Sequence, residues 1–145
     1  MIDEKWLFAK TDLVELTLTY EFIANYASSI HEVNPIYFNK QAAINAGFSD
    51  VVAPITMPII FWQYIDVPWL KNIPVVIHGK QNFSYKEPLL ANQTYHCEIQ
   101  LTNIQTKERK KGSRMQVADH ELNVYHNDKV CGTFVSTLLI MEDER

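Results

Sequence analysis

The second half of this chain changes from helical to alternating hydrophobic spacing, and that change restricts the possible folds more than any other feature. After Pro74, apolar and polar residues alternate with a period of two, which is typical of half-buried antiparallel strands. Four strands are predicted in this region: Val75–Tyr85, Thr94–Ile104, Ser113–Tyr125 and Lys129–Met141. A short strand is also expected near the N-terminus. The chain should therefore build an antiparallel sheet whose apolar face is covered by the first half of the sequence.

Turn-forming residues predict how these strands are connected. Asn127-Asp128 indicates a tight hairpin between the last two strands, and Lys107–Gly112 indicates the preceding turn. The apolar phase slips within Val117–Leu122, which predicts a bulge near Asp119 and His120.

The first half of the chain carries helical spacing. A helix is predicted over Tyr20–Ser29, with Thr19 available as its N-cap. A shorter helical piece is expected around Lys40–Ala46, and Gly47 can end it in a left-handed conformation.

A third, strongly apolar helix is predicted to begin near Met57 or Pro58 and to run to about Ile65, because proline is tolerated in a first helical turn. A helix that is apolar all round is usually covered on every side. Its apolar positions are Met57, Ile60, Phe61 and Tyr64. A long sheet curled around this helix would provide that cover. An α+β sandwich with the helices on one face of the sheet fits the periodicity equally well.

Composition narrows the class of protein. The 145 residues are 47% apolar and 21% charged, as expected for one globular domain over residues 1–145 and not for a disordered chain. The net charge of −4, without a large basic face, argues against a nucleic-acid partner. No membrane span or secretory signal is apparent, so a cytoplasmic location is expected. Cys97 and Cys131 are expected to be buried and to form neither a disulfide nor a zinc site.

Two motifs carry a family resemblance. The first reads HEVNPIYFNKQAAINAGF at His31–Phe48 and continues as VVAPITMP at Val51–Pro58. The second reads HGKQNFSYKEPL at His78–Leu89. Together they resemble the MaoC-like (R)-specific enoyl-thioester hydratases and dehydratases. They are most similar to the N-terminal-type dehydratase domains related to the dehydratase region of fungal-type fatty acid synthases.

The resemblance implies an α+β hot-dog fold, in which an antiparallel sheet wraps a central helix. It also implies a dimer whose site lies at or beside the interface. The implied substrates are 3-hydroxyacyl or trans-2-enoyl thioesters of coenzyme A or acyl carrier protein, in fatty-acid or related acyl metabolism. Neither a metal nor a cofactor is expected.

The catalytic positions of the resembled family are altered in this chain. Active members of that family carry a six-residue motif with the order Asp, any residue, Asn, Pro, an aliphatic residue, His. The corresponding residues of this chain are Glu32-Val33-Asn34-Pro35-Ile36-Tyr37. Glu32 keeps a carboxylate one methylene further out, and a misplacement of about 1 Å can cost on the order of a hundredfold in rate. Tyr37 is the more serious change, because a phenol titrates near pH 10 and is a poor general base at neutral pH.

Two histidines are candidates to supply the missing imidazole. His31 adjoins Glu32 in the sequence, although consecutive residues of an extended segment point to opposite faces. His78 begins the second motif. For both, a structural role is the alternative to catalysis. The other histidines are expected at the surface: His96, His120 and His126.

Substrate-binding candidates come from both parts of the first motif. Asn34 is expected to hold the turn with Pro35, whether or not it also contacts substrate. The segment of Pro54, Thr56 and Met57 could direct helix N-terminal amides at the thioester oxygen, or could simply start a core helix. Aromatic side chains after it could line an acyl pocket, an interface or the core: Phe61, Trp62, Tyr64 and Trp69.

The basic run Lys107–Lys111, with Arg114 beyond it, indicates a solvated hairpin tip or a contact for coenzyme A phosphates or an acidic carrier protein.

Three functional hypotheses follow. The chain could be the substrate-holding subunit of a dehydratase, paired with a MaoC-like subunit that carries intact Asp and His. It could be a homodimeric acyl-thioester binding module without turnover. It could also be an active enzyme, either a hydratase using Glu32 with His31 or His78, or a hot-dog thioesterase in which Glu32 activates water.

Overall fold

The computed structural model describes residues 1–142, and its main element is a five-stranded sheet. The strands are β1 Val14–Thr17, β2 Val76–Tyr85, β3 Thr94–Glu108, β4 Arg114–His126 and β5 Lys129–Met141. They lie in the order β1-β3-β4-β5-β2, and every neighbouring pair is antiparallel. The predicted short N-terminal strand and the four later strands are all present, with β3 continuing past its predicted end at Ile104.

The first two helices form where local sequence signals place them. Helix α1 spans Tyr20–Ser29, and the Thr19 hydroxyl accepts a hydrogen bond from the Phe22 amide at 3.1 Å. Helix α2 spans Lys40–Asn45, and Gly47 follows it with a φ of 102°. Short 3-10 turns occupy Glu4–Trp6, Pro35–Tyr37, Pro68–Leu70 and Lys110–Gly112.

The central helix differs from its prediction. Met57–Tyr64 is a 3-10 helix and not an α-helix, and Pro58, which has no amide hydrogen, lies in its first turn. Met57 and Phe61 are fully buried, but Tyr64 is 50% exposed. The expectation that this helix is covered on every side is therefore wrong at Tyr64.

The core lies between the inner face of the sheet, the central 3-10 helix and α1. Buried residues of β3, β4 and β5 share one cluster with Met57, Phe61 and Ile23. Cys97 and Cys131 are buried and free, as predicted. Among residues 1–142, no helix is both long enough and apolar enough to cross a membrane.

Strand β4 corrects two sequence-based expectations. Its inward side chains alternate without interruption, and His120 is fully buried among them, not at the surface. The bulge is present at the predicted level, but the extra residue is Thr102 of β3, opposite Asp119 and His120. Gln116 and His120 are polar but lie on the inner face of β4, so the alternation of apolar residues is interrupted in the sequence although it is regular in the structure.

The hairpin turns follow their residue types. Asn127 and Asp128 have φ values of 49° and 65°, which suit the tight turn that joins β4 to β5. The β3–β4 turn is shorter than the predicted Lys107–Gly112, because pairing continues to Glu108 and Arg114.

Candidate functional site

The first motif begins at a defined helix end. His31 has a φ of 61°, its amide donates to the Ser28 carbonyl at 3.0 Å, and the Glu32 amide donates to the Ala27 carbonyl at 2.9 Å. These two bonds form a Schellman motif that closes α1. His31 therefore occupies the left-handed position that glycine usually takes, and its side chain is exposed.

Asn34 shapes the next turn, as expected. Its side-chain oxygen accepts a hydrogen bond from the Ile36 amide at 3.2 Å, and its carbonyl accepts one from the Tyr37 amide at 3.2 Å. Pro35 supplies the first residue of this 3-10 turn, Pro35–Tyr37. The turn fixes where the Tyr37 side chain lies.

A cavity of about 390 Å³ lies under this turn. Three segments distant in sequence enclose it: the turn itself, the stretch that leads into the central helix, and the end of β2 with its following loop. Most of its lining is apolar, with a few polar groups. The lining residues are Ile36, Tyr37, Phe48, Val52, Ala53, Ile55, Tyr85, Lys86, Glu87, Pro88 and Leu89.

Two tyrosines provide the hydroxyl groups of the cavity. Burial raises the pKa of Tyr85, and burial together with the nearby Glu32 charge raises the pKa of Tyr37. Both phenols therefore stay protonated at neutral pH, where they can donate hydrogen bonds but cannot act as bases. No histidine lines this cavity in the described part of the chain.

Tyr85 also orders the segment before the central helix. Its hydroxyl donates to the Ile55 carbonyl at 2.5 Å. Since a peptide group is planar, this bond also fixes the orientation of the Thr56 amide. The Met57 amide donates to the Pro54 carbonyl at 3.0 Å and Pro58 has no amide hydrogen, so neither is available to a ligand. Within residues 1–142 the Ile55 and Thr56 amides donate to no carbonyl.

The remaining predicted site residues lie outside the cavity. His78 is exposed on β2, within 3.0 Å of the Gln81 side-chain oxygen, beside a separate cavity of about 250 Å³. Pro54 is buried, and the Thr56 hydroxyl is 2.7 Å from that of Tyr26. Met57 and Phe61 are core residues. Of the four predicted catalytic residues, Tyr37 lines the cavity, whereas Glu32, His31 and His78 do not. The Glu32 charge acts on the Tyr37 phenol by raising its pKa. The catalytic and binding roles of all these residues remain predictions.

Sequence reasoning missed Tyr85 and Ile55, which shape the polar part of the cavity. Tyr85 lies within the second motif, so a signal was available. The search for an imidazole selected His78 from that motif instead.

The buried histidine belongs to a different cluster. The Trp69 indole donates to His120 Nε2 at 2.9 Å, and His120 Nδ1 lies 3.2 Å from the Ala118 carbonyl. The Trp62 and Trp69 rings pack against the imidazole at centroid distances of 5.4 and 6.0 Å. Burial lowers the pKa of His120 to about 4, so the ring is neutral and structural.

Comparison with known proteins defines the class. Residues 7–133 match the family described as FAS1-like, dehydratase domain region. A UPF0336 protein from Thermobifida fusca is 32% identical over 127 residues, which cover 83% of this chain and 81% of the relative.

Two solved structures share the fold. One belongs to the HadBC (3R-hydroxyacyl-ACP dehydratase) complex from Mycobacterium tuberculosis, with a TM-score of 0.75, 18% identity, and coverage of 92% of this chain and 96% of that chain. The other is the MaoC-like dehydratase from Rhodospirillum rubrum, with a TM-score of 0.73, 13% identity, and coverage of 100% and 99%.

The chain belongs to the family described as FAS1-like, dehydratase domain region, and it shares the hot-dog fold of the two solved dehydratase structures. The resemblance seen in the two motifs and the predicted hot-dog fold are thereby confirmed.

Proposed function

We propose that this chain binds 3-hydroxyacyl or trans-2-enoyl thioesters and acts as the substrate-holding subunit of a dehydratase. In this proposal a MaoC-like partner with intact Asp and His supplies the acid and the base. The observation that carries the proposal is the composition of the cavity beneath the first motif: within residues 1–142 its lining includes two phenols and no imidazole.

The cavity suits an acyl group. Sites for small ligands are mostly apolar and carry a few fixed polar groups that orient the ligand. Here apolar side chains such as Ile36, Phe48 and Val52 form most of the wall. The Tyr37 phenol is a donor for the thioester or the 3-hydroxyl oxygen.

The same cavity is poorly equipped for proton transfer. Dehydration needs a base for the α-proton and an acid for the departing hydroxyl. Glu32 is exposed and Tyr37 stays protonated, so the motif offers a carboxylate without its imidazole partner. Division of labour between two chains accounts for this combination. The HadBC (3R-hydroxyacyl-ACP dehydratase) complex, which shares this fold, is consistent with it.

Filling the cavity tests the proposal. Ile36→Trp places an indole in the cavity, and we expect it to weaken binding of trans-2-enoyl-CoA by about tenfold or more. Ile44→Trp is the matched control, because Ile44 is 43% exposed on α2 and does not line the cavity. Binding is measured by isothermal titration over a series of acyl lengths. Equal affinities for the wild type and both variants would contradict binding in this cavity.

Hydration assays separate the subunit role from the other two hypotheses. The purified chain is incubated with short to long trans-2-enoyl-CoA substrates, and loss of the enoyl absorbance is followed. We expect binding without turnover by the chain alone, and turnover once a catalytic MaoC-like partner is added. Turnover by the chain alone that Glu32→Gln abolishes would instead establish a rewired hydratase.

A further inference from the structure

A second cavity lies on the outer face of the sheet. Cys97 of β3 is buried in the core, and successive residues of a strand point to opposite faces, so the next residue, Glu98, lies on the outer face. The cavity around it has a volume of about 460 Å³ and is here called the outer cavity. It shares no lining residue with the cavity under the first motif. Its lining residues are Leu13, His96, Glu98, Tyr125 and Asp128.

Glu98 is the unusual residue of the outer cavity, because it is charged and yet only 9% exposed. Its Oε1 atom accepts a hydrogen bond from the Tyr125 hydroxyl at 2.7 Å. Its Oε2 atom accepts no hydrogen bond and forms no ion pair within residues 1–142. A carboxylate that is largely withdrawn from water and only half satisfied favours a further donor or cation.

Strand pairing holds this carboxylate in place. Glu98 pairs with Asn123 of β4, and Tyr125 lies two residues further along the same face. Burial and the bond to Glu98 raise the pKa of Tyr125 to about 12. The phenol therefore keeps its proton at neutral pH and remains a donor to Oε1. Since Tyr125 occupies Oε1, Oε2 is the oxygen available to a ligand.

Lys10 shows that an ammonium group can approach this carboxylate. Its Nζ atom lies 3.7 Å from Glu98 Oε1, which is beyond hydrogen-bond distance, and its side chain is 52% exposed. A loose pair with a half-exposed lysine contributes little to stability. A bound ammonium group that reaches Oε2 directly can therefore replace it.

The rest of the lining suits an organic cation. Asp128 supplies a second carboxylate, Tyr125 an aromatic ring that attracts ammonium groups, and Leu13 an apolar wall. His96 lies 3.7 Å from the Glu15 carboxylate, which offsets any positive charge on its ring. Within the described part of the chain, no group of three His, Cys, Asp or Glu side chains is placed to hold a metal ion. The volume is within the range of about 300–1,000 Å³ typical of small-molecule sites.

We infer that the outer cavity binds a small organic ammonium compound. Its ammonium group contacts Glu98 Oε2, and its carbon chain packs against Leu13 and Tyr125. A short diamine suits the site best, because Asp128 offers a second carboxylate. The site is independent of the proposed function, since the two cavities have no lining residue in common.

Titration with an amine tests the site. The probes are 1,4-diaminobutane and its uncharged counterpart 1,4-butanediol, added at low salt to the ¹⁵N-labelled chain and followed by NMR. We expect saturable binding of the diamine, with amide shifts at Leu13, Glu98 and Tyr125, and no saturable binding of the diol. Glu98→Gln keeps an acceptor for Tyr125 but removes the charge, and should weaken diamine binding by about tenfold or more. Glu108→Gln is the matched control at the exposed far end of β3, and should change the affinity by about twofold or less.

Lys10→Met should have the opposite effect. Removal of the competing ammonium group should strengthen diamine binding by about twofold or more, a gain that a damaged fold would not produce. This variant decides the matter even if Glu98→Gln does not fold. The assignment is overturned if the diamine does not saturate the wild type, if both glutamate variants lose affinity equally, or if the shifts occur only at other residues. An unchanged affinity in Lys10→Met would also contradict binding at Glu98.

Discussion

Tyr37 stands where active members of the resembled family carry histidine. A histidine can accept and release a proton near neutral pH, whereas a tyrosine phenol titrates near pH 10. The Tyr37 phenol keeps its proton at neutral pH because burial and Glu32 both raise its pKa. It can therefore donate one hydrogen bond to a bound oxygen.

Removing that hydroxyl should weaken binding without abolishing it. A neutral hydrogen bond contributes about 0.5–1.5 kcal/mol, so we expect Tyr37→Phe to weaken enoyl-CoA binding by about two- to tenfold. Tyr64→Phe is the control, since Tyr64 lies outside the cavity. Dissociation constants measured by titration decide the matter. An unchanged affinity in Tyr37→Phe would exclude the phenol from the binding site.

His120 should make stability depend on pH. Its pKa is about 4 in the folded protein and near 6.5 when unfolded, so the unfolded chain binds the proton more readily between these values. Stability is full above pH 6.5 and falls as the pH drops towards 4, by about 3 kcal/mol at 1.36 kcal/mol per pH unit. Denaturant titrations at pH 7 and pH 4.5 measure the loss.

His120→Gln isolates this contribution from that of the carboxylates. The variant should be less stable at pH 7, because the Trp69 bond and the ring packing are disturbed, but its further loss at low pH should be smaller than that of the wild type. Equal losses in both proteins would contradict the assignment of the effect to this imidazole.

At the scale of elements, His31 at the end of α1 has a left-handed backbone conformation, which is unfavourable for any residue other than glycine. A left-handed backbone costs a non-glycine residue about 1 kcal/mol. His31→Gly should therefore raise the free energy of unfolding by about that amount, whereas His31→Ala should not. Thermal and denaturant unfolding compare the three proteins. If His31 were instead catalytic, both variants would lose activity in the presence of the partner subunit.

The elements that the sequence predicts well are those governed by neighbouring residues. α1 has its predicted bounds because its cap and its spacing are local. The 3-10 form of Met57–Tyr64 was not predicted, because a hydrophobic pattern does not distinguish a 3-10 helix from an α-helix. His120 was misplaced because its partner Trp69 is 51 residues away along the chain.

At the scale of the whole molecule, the cavity also combines features that the local sequence predicts with features that depend on residues distant in the sequence. The motif residue Tyr37 was identified from the resemblance, but the walls come from segments that meet only in the fold. No periodicity links Ile36 to Phe48 or Tyr85. Met57 was a binding candidate because its segment could direct helix amides at the thioester oxygen, and Phe61 because it follows that segment. Packing has placed both side chains in the core.

The β2 edge gives the prediction for assembly. We expect the purified chain to self-associate, and Ile77→Lys to weaken that association by about tenfold or more, because a charged edge opposes strand pairing. Ile44→Lys changes a similarly exposed isoleucine on α2 and should have little effect. Sedimentation velocity measures the association. Unchanged dimerisation in Ile77→Lys would place the interface elsewhere.

The cluster around His120 also determines what the chain's fluorescence reports. The chain has three tryptophans, and all three belong to this cluster: Trp6 lies 5.9 Å from Trp69, while Trp62 and Trp69 flank the imidazole. None of them lines the candidate acyl cavity. Intrinsic tryptophan emission therefore reports on the contact between the Pro68–Leu70 turn and His120 of β4. Ligand titrations at the cavity need an introduced fluorophore or a calorimeter.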